Sequence, residues 1–460
     1  MEVVVGGRMA ASILTLLLLS SWCLMVASGF RQRGIEREEE EEAHGGGRGL
    51  RGRFLLARSR TVARTDAGEI RVVSRYRSKS EPCPMHIGFI QMEPNSLVVP
   101  QYVDANLVVF VHRGEVKVCW IHKDELVERK LRRGDVSVIP AGSTFYIVNT
   151  HSSDRSQMIC SIDTTQSMGH SLHQSFFIGG GMNPTSVLAG FDTNTLTAAF
   201  NVTAEELERM MQSQRGGAIV YMSGESTERP DLNDNNDDSA WTKQKLVDYL
   251  LGKVDKKKAG NGEPVGALHA YNLYDNEPSY RNSFGWTTAI DEDDFSPLRS
   301  TGVGVYVVNL TAGSMLAPHM NPMATEYGVV LRGSGTIQVV FPNGSNAMNA
   351  EVSEGDVFWI PQYFPFCQIA SSGVITPMEF FGFTTSSRRN HPQFLIGASS
   401  VLRSMRGREL AAAFRISEER LERVVKAQRE SVILPIRHHQ QPEEDEEEEE
   451  VLQLKRGVFA

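Results

Sequence analysis

Five residues in the second half of the chain stand at a spacing suited to gripping a cation. Gly313, His319, Asn321, Glu326 and Gly333 fit G-x5-H-x-H-x4-E-x6-G, with Asn at the second His position. Gly355 and Pro361 then open G-x5-P-x-G-x2-H-x3-N, where Tyr363, Phe366 and Ala370 hold the Gly, His and Asn positions. Side chains one residue apart on a strand face the same side, so such spacing lets two imidazoles, a carboxylate and a third imidazole converge from neighbouring strands. That donor set suits Mn, Fe, Cu or Zn. Here His319 and Glu326 keep two of the four donors and Phe366 puts an apolar ring at the last. The expectation is no resident cofactor, with copper or zinc held weakly at most through His319. Asn321, Glu326, Tyr363, Phe366 and Cys367 are the candidates for lining a small-ligand pocket. Cys367 follows Phe366 directly, so on a strand its thiol should face the side opposite to Phe366 unless a bulge intervenes.

The same frame recurs in the first half as Asn95, Gln101, Val103, Leu107 and Gly114, then Gly134, Pro140, Gly142, Phe145 and Asn149. Gln, Val, Leu and Phe cannot supply the donor set, so the first frame is expected to be metal-free. The turn-forming residues persist in both halves while the ligands do not. Downstream, Ser186-Val187-Leu188, Phe191, Leu196, Phe200, Thr203, Leu207, Met211 and Gln214-Arg215 have counterparts 214 residues later. These are Ser400-Val401-Leu402, Met405, Leu410, Phe414, Ser417, Leu421, Val425 and Gln428-Arg429. The chain is two copies of one unit.

Each unit changes from strands to helix. Leu107 to Val111, Val116 to Ile121, Val136 to Ile139, Phe145 to Val148, Val303 to Leu310, Thr336 to Phe341 and Val357 to Ile360 are β-branched or aromatic runs ending near Gly, Pro or Asn. Thr203 with Glu206 forms a capping box ahead of Leu207, Met210, Met211 and Gln214, and Ser417 caps the matching helix with Leu421, Val424 and Val425 on one face. The apolar face of each helical arm must be covered, by its own barrel or by another subunit.

At 460 residues the chain exceeds what one hydrophobic core usually organises. An apolar share of 41%, 22% charged residues and a net charge of −9 describe a mildly acidic globular protein with no basic stripe, so nucleic acid is not an expected partner. Residues 1–28 read as a signal peptide: Arg8, an apolar run from Met9 to Leu19, then Val26, Ala27 and Ser28. No membrane anchor is expected, since no other stretch approaches the ~20 apolar residues a bilayer requires. Residues 29–80 read as a disordered charged and Gly-rich segment, 81–223 as the first barrel with its arm and 224–265 as an exposed linker carrying a short amphipathic piece, Trp241 to Leu251. Residues 266–435 form the second barrel with its arm and 436–460 an acidic tail. Cys83, Cys119, Cys160 and Cys367 remain after signal removal, with their pairing left open. Sequons at Asn201, Asn309 and Asn343 are candidate glycosylation sites.

The two motif frames resemble the cupin superfamily, and a signal peptide, two degenerate barrels with helical arms and acidic tails together resemble the vicilin-like (7S globulin) seed storage proteins of plants. Pro94 to Pro100, Gly179 to Gly181 with Pro184 and Leu188, Pro318 to Pro322 and Phe364 to Gln368 look most like a divergent vicilin-like branch. The resemblance spans residues 83 to about 435. It implies a mainly β fold of two tandem cupin jelly-roll barrels, each followed by a small α-helical arm. It also implies a homotrimer joined through the arms, delivery through the secretory pathway to protein storage vacuoles or the cell exterior, and mobilisation by vacuolar proteases as an amino-acid reserve. The leading functional reading is therefore a non-enzymatic storage protein. The alternatives are a small-ligand or metal-binding cupin with a residual site in the second barrel, and a metallocupin oxidase or superoxide dismutase.

Overall fold

The structure, a computed structural model, describes residues 54–56, 59–73, 85–122, 125–163, 174–222, 269–373 and 375–436. The first barrel is built from β1 Ser59–Thr65, β2 Gly68–Val73, β3 Met85–Met92, β4 Ser96–Val103, β5 Asn106–Arg113, β6 Glu115–His122, β7 Glu125–Arg132, β8 Asp135–Ile139, β9 Phe145–Asn149 and β10 Ser156–Asp163. Short strands β11 Ser175–Phe177, β12 Ile219–Tyr221 and β13 Ala270–Asn272 extend it. The second barrel comprises β14 Tyr280–Asn282, β15 Gly285–Ile290, β16 Gly304–Leu310, β17 Ser314–Met320, β18 Glu326–Arg332, β19 Ser334–Val340, β20 Asn346–Ser353, β21 Val357–Ile360, β22 Phe366–Ala370, β23 Met378–Thr384, β24 Gln393–Phe394 and β25 Ile433–Pro435.

Each barrel is two facing antiparallel sheets. The orders are β1-β2-β3-β10-β5-β8-β13 against β11-β4-β9-β6-β7, and β14-β15-β16-β23-β18-β21 against β20-β19-β22-β17-β24, with β12 and β25 pairing β4 and β17. The unbroken apolar run Leu107 to Val111 follows from β5 being buried on both faces. Leu107, Val109 and Val111 join the first barrel's own core, while Val108 and Phe110 join a core shared with the second barrel. Across that shared face Phe110 stacks on Phe381 with centroids 3.9 Å apart. The mainly β fold of two tandem jelly rolls with helical arms is the one the sequence predicts.

The ladders of β4 and β17 slip at the same place in both copies, between Val98 and Gln101 and between Leu316 and His319. Pro100 and Pro318 lie inside those slips, and a residue without an N–H donor is accommodated at a bulge rather than in a regular ladder. Beyond the slip, Gln101 pairs with Phe145 and His319 with Phe366.

Two expectations about domain limits fail. Residues 29–80 read as a solvated segment, yet 59–65 and 68–73 form β1 and β2, and Leu56 N donates to Val357 O at 2.8 Å in the second barrel. The charged residues of β1 sit on an exposed edge, where composition alone suggests disorder. In exchange, β13, assigned by sequence to the second unit, pairs with β8 of the first. The signal peptide, residues 29–53, the linker with Trp241 to Leu251, and the tail beyond residue 436 lie outside the described residues.

The arms contain more helices than the sequence suggests. The first has α1 Thr193–Phe200 and α2 Ala204–Ser213, the second α3 Val401–Ser404, α4 Arg408–Phe414 and α5 Glu418–Ala427. Asn201 and Arg415 end α1 and α4 in the left-handed conformation without a glycine to signal the stop. The caps of α2 and α5 are the expected ones: Thr203 accepts from Glu206 N and Ser417 from Arg420 N. Among the described residues no helix is long and apolar enough to cross a membrane.

Candidate functional site

The interior of the second barrel centres on Glu326, the first residue of β18 and only 6% exposed. Its Oε1 accepts from the Tyr306 hydroxyl at 2.7 Å and from Gln368 Nε2 at 3.3 Å, and its Oε2 accepts from Asn321 Nδ2 at 2.8 Å. Asn321 is itself fixed by Asn390, whose Nδ2 donates to Asn321 Oδ1 at 2.8 Å. Burial lifts the Glu326 carboxyl to about 7, and the three donors pull in the opposite direction without cancelling that cost. The Tyr306 phenol is pushed well above its ordinary value by its own burial and by the adjacent carboxylate.

His319, on β17, does not join this cluster. Its Nδ1 lies 2.7 Å from the Ala317 carbonyl, and its ring packs on Phe366 and Phe394 with centroids 4.1 and 5.3 Å away. Burial lowers its pKa to about 4, the contact with the Ala317 carbonyl opposing only part of the shift. The ring acts as an aromatic wall rather than as a cation.

Two proposed pocket residues are elsewhere. Tyr363 sits in a turn at φ 73° with 65% of its surface exposed, so it lines no interior. Cys367 is buried, but its Sγ meets Gln338 Oε1 at 3.8 Å on the face of β22 opposite to Phe366 and Gln368, as strand alternation dictates. Of the sequence-derived candidates, Asn321 and Glu326 are joined directly, and Phe366 with His319 forms a neighbouring aromatic contact. Tyr306, Gln368 and Asn390 were missed because hydroxyls and carboxamides carry no ligand-spacing signal.

The first barrel places different chemistry at the same addresses. Gly88 pairs with Val72 and Cys160, just as Tyr306 pairs with Ala289 and Gly382. By the same ladders Gln101, Val103, Leu107 and Ile147 stand at the positions of His319, Asn321, Glu326 and Gln368. Tyr306, Asn321, Glu326 and Gln368 thus have Gly, Val, Leu and Ile as their counterparts.

A cupin metal centre does not fit either interior. In the second barrel the carboxylate oxygens already accept three protein donors and the lone imidazole is turned onto Phe366. In the first barrel the four positions offer only the Gln101 carboxamide. Among the described residues no three of His, Cys, Asp and Glu gather as an ion would need. Cys119, Cys160 and Cys367 are buried free thiols, and Cys83 lies outside the described residues. Of the sequons, Asn201 and Asn343 are exposed, whereas Asn309 lies within β16 and its Nδ2 donates to Glu379 Oε2 at 3.2 Å.

Tandem jelly rolls with turn glycines retained and most ligand positions of the two frames replaced define a degenerate bicupin. Residues 54–208 and 271–422 each match the Cupin family. A vicilin-like seed storage protein of Arabidopsis thaliana is 49% identical over 418 residues, covering 84% of this chain and 81% of that protein. Cupincin of Oryza sativa subsp. indica is 27% identical over 476 residues, covering 93% and 96%. Among solved structures, vicilin from Corylus avellana superposes with a TM-score of 0.70 at 22% identity, covering 84% of this chain and 99% of that one. The chain belongs to the cupin family and, within it, to the vicilin-like seed storage proteins.

Proposed function

We propose that this protein is an amino-acid reserve that performs no catalysis, assembles as a homotrimer through its helical arms, and reaches the storage vacuole or cell exterior by the secretory route. The observation that carries the storage reading is the 49% identity to a vicilin-like seed storage protein along most of the chain. The replacement of cation donors in both barrels supports a role without turnover. Following the protein through seed filling and germination tests it: accumulation followed by proteolytic loss is expected, and a flat profile refutes storage. Supplying Mn, Fe, Cu or Zn and assaying oxalate oxidation and superoxide dismutation should give no turnover. Metal-dependent turnover lost in His319→Ala would overturn the non-catalytic reading.

Self-association is supported by a repeat in what the arms leave uncovered. Phe191, Phe200 and Met210 of the first arm are 59%, 46% and 46% exposed, and their counterparts Met405, Phe414 and Val424 are 58%, 56% and 65% exposed. Large apolar side chains kept in the same places on both arms favour burial against other copies of the chain. Light scattering should give three times the chain mass, and Phe200→Asp with Phe414→Asp should yield monomer. Wild-type protein running as monomer would refute the trimer. Glycosylation is proposed at Asn201 and Asn343, with the Asn309 amide already engaged by Glu379.

A further inference from the structure

We infer that the first barrel is a binding site for an uncharged apolar alcohol, a molecule with a hydrocarbon body and one hydroxyl group. Between its two sheets lies a cavity of about 840 Å³, within the range of small-molecule sites. Its presence follows from the side chains the second barrel has and the first lacks. In the second barrel the Tyr306 ring fills the space between sheets, and it fits because Gly382 opposite has no Cβ to strike its hydroxyl. In the first, Gly88 leaves that volume open and Cys160 faces it from β10. Leu107 and Ile147 complete the apolar wall where Glu326 and Gln368 stand in the other copy.

One polar group marks where a ligand would be oriented. Gln101 is 6% exposed, lines the cavity, and its Oε1 has no hydrogen-bond partner. An unpaired buried acceptor is costly, and a hydroxyl donated from a bound molecule would satisfy it. The charged residues of the lining, Arg60, Arg64 and Asp66, lie on or beside β1 rather than among the interior apolar side chains, and Arg64 is bonded to Glu69 at 2.7 Å. Both arginines are exposed, so a carboxylate beside Gln101 would find no buried cation in the lining. Hydroxyl chemistry fits the interior better than an anionic head group.

Uptake of 1-aminoanthracene by the purified full chain, read by fluorescence, tests this with 1-decanol, decyl methyl ether and decanoate as competitors. Expected are one probe per chain and displacement by the alcohol about tenfold better than by the ether, the worth of one hydrogen bond. Gly88→Leu should fold, since a Cβ there sits 3.1 Å from the movable Ile162 Cδ1, and should abolish uptake. Gln101→Leu should keep uptake and bring alcohol and ether to equal strength. No uptake by the wild-type chain, full uptake by folded Gly88→Leu, or decanoate binding as well as the alcohol would overturn the inference.

Discussion

The two barrels share strand order, ladder slips and turn glycines, yet the interior of one holds a hydrogen-bonded polar cluster and that of the other an apolar-walled cavity. The second barrel encloses Tyr306, Asn321, Glu326 and Gln368 in one hydrogen-bonded cluster, while the first sets Gly88, Val103, Leu107 and Ile147 around an open volume. A barrel is held by its backbone ladders and by apolar contacts between sheets, so its centre can be emptied while the fold persists. Departure from the full ligand frame thus takes two forms within one chain. In the second barrel the carboxylate gathers neutral donors, and in the first a leucine stands in its place beside an apolar wall.

The largest expected effect comes from making the second barrel resemble the first. Tyr306→Gly removes a buried ring and one donor to Glu326, and should cost about 4 kcal/mol in denaturant unfolding. A loss below about 1 kcal/mol would show that the ring is not what fills the barrel.

The next effects are pH-dependent and oppose one another. Glu326 titrates near 7 when folded and at the ordinary carboxyl value when unfolded, so between about 4.5 and 7 the folded state holds the extra proton. Stability therefore falls as pH rises through that window, by up to about 3 kcal/mol, and Glu326→Gln should flatten the decline. His319 behaves in the reverse sense. Its folded pKa of about 4 lies below the ordinary 6.5, so the unfolded state takes up the proton first and stability is lost as pH falls from 6.5 to 4. His319→Phe, preserving the contacts with Phe366 and Phe394, should remove that acid sensitivity, again up to about 3 kcal/mol. Melting curves from pH 4 to 8 check both; identical pH profiles for wild type and variants would refute the assignment. The corresponding residues of the first barrel, Gln101 and Leu107, do not titrate in this range, so substitutions there should leave the profile unchanged.

The smallest effect is expected from Gly88→Ala. It adds one methyl 3.1 Å from the movable Ile162 Cδ1 at an ordinary backbone conformation and should change stability by less than about 1 kcal/mol. The contrast is Gly382→Ala, where the added carbon would collide with the Tyr306 hydroxyl and the Tyr327 carbonyl. If both glycines respond alike, the two barrel interiors are not distinguished as described.

Much of the frame was legible in the sequence. Gly114, Gly134 and Gly142 with Gly333 and Gly355 occupy positive-φ turns, and the helix starts at Thr203 and Ser417 were placed by their caps. The candidate site was read less completely. Asn321 and Glu326 stood out through the ligand spacing, but Tyr306, Gln368 and Asn390 belong to no such pattern and come together only through strand pairing. Tyr363 was misplaced because a motif position says nothing of whether a turn residue faces in or out. A signal for the cavity was present: Gly88 and Tyr306 lie 218 residues apart, the same offset that relates Gln101 to His319.

The duplication, the succession from strands to a helical arm in each copy, and the Asn and Phe standing at two of the four ligand positions of the second frame are written in residue type and local spacing. The exchange of short strands between units, the donors that surround Glu326 and the cavity of the first barrel emerge only when the chain is folded. Those depend on side chains far apart in the chain meeting across two sheets, where the presence of one ring and the lack of one Cβ set what volume remains.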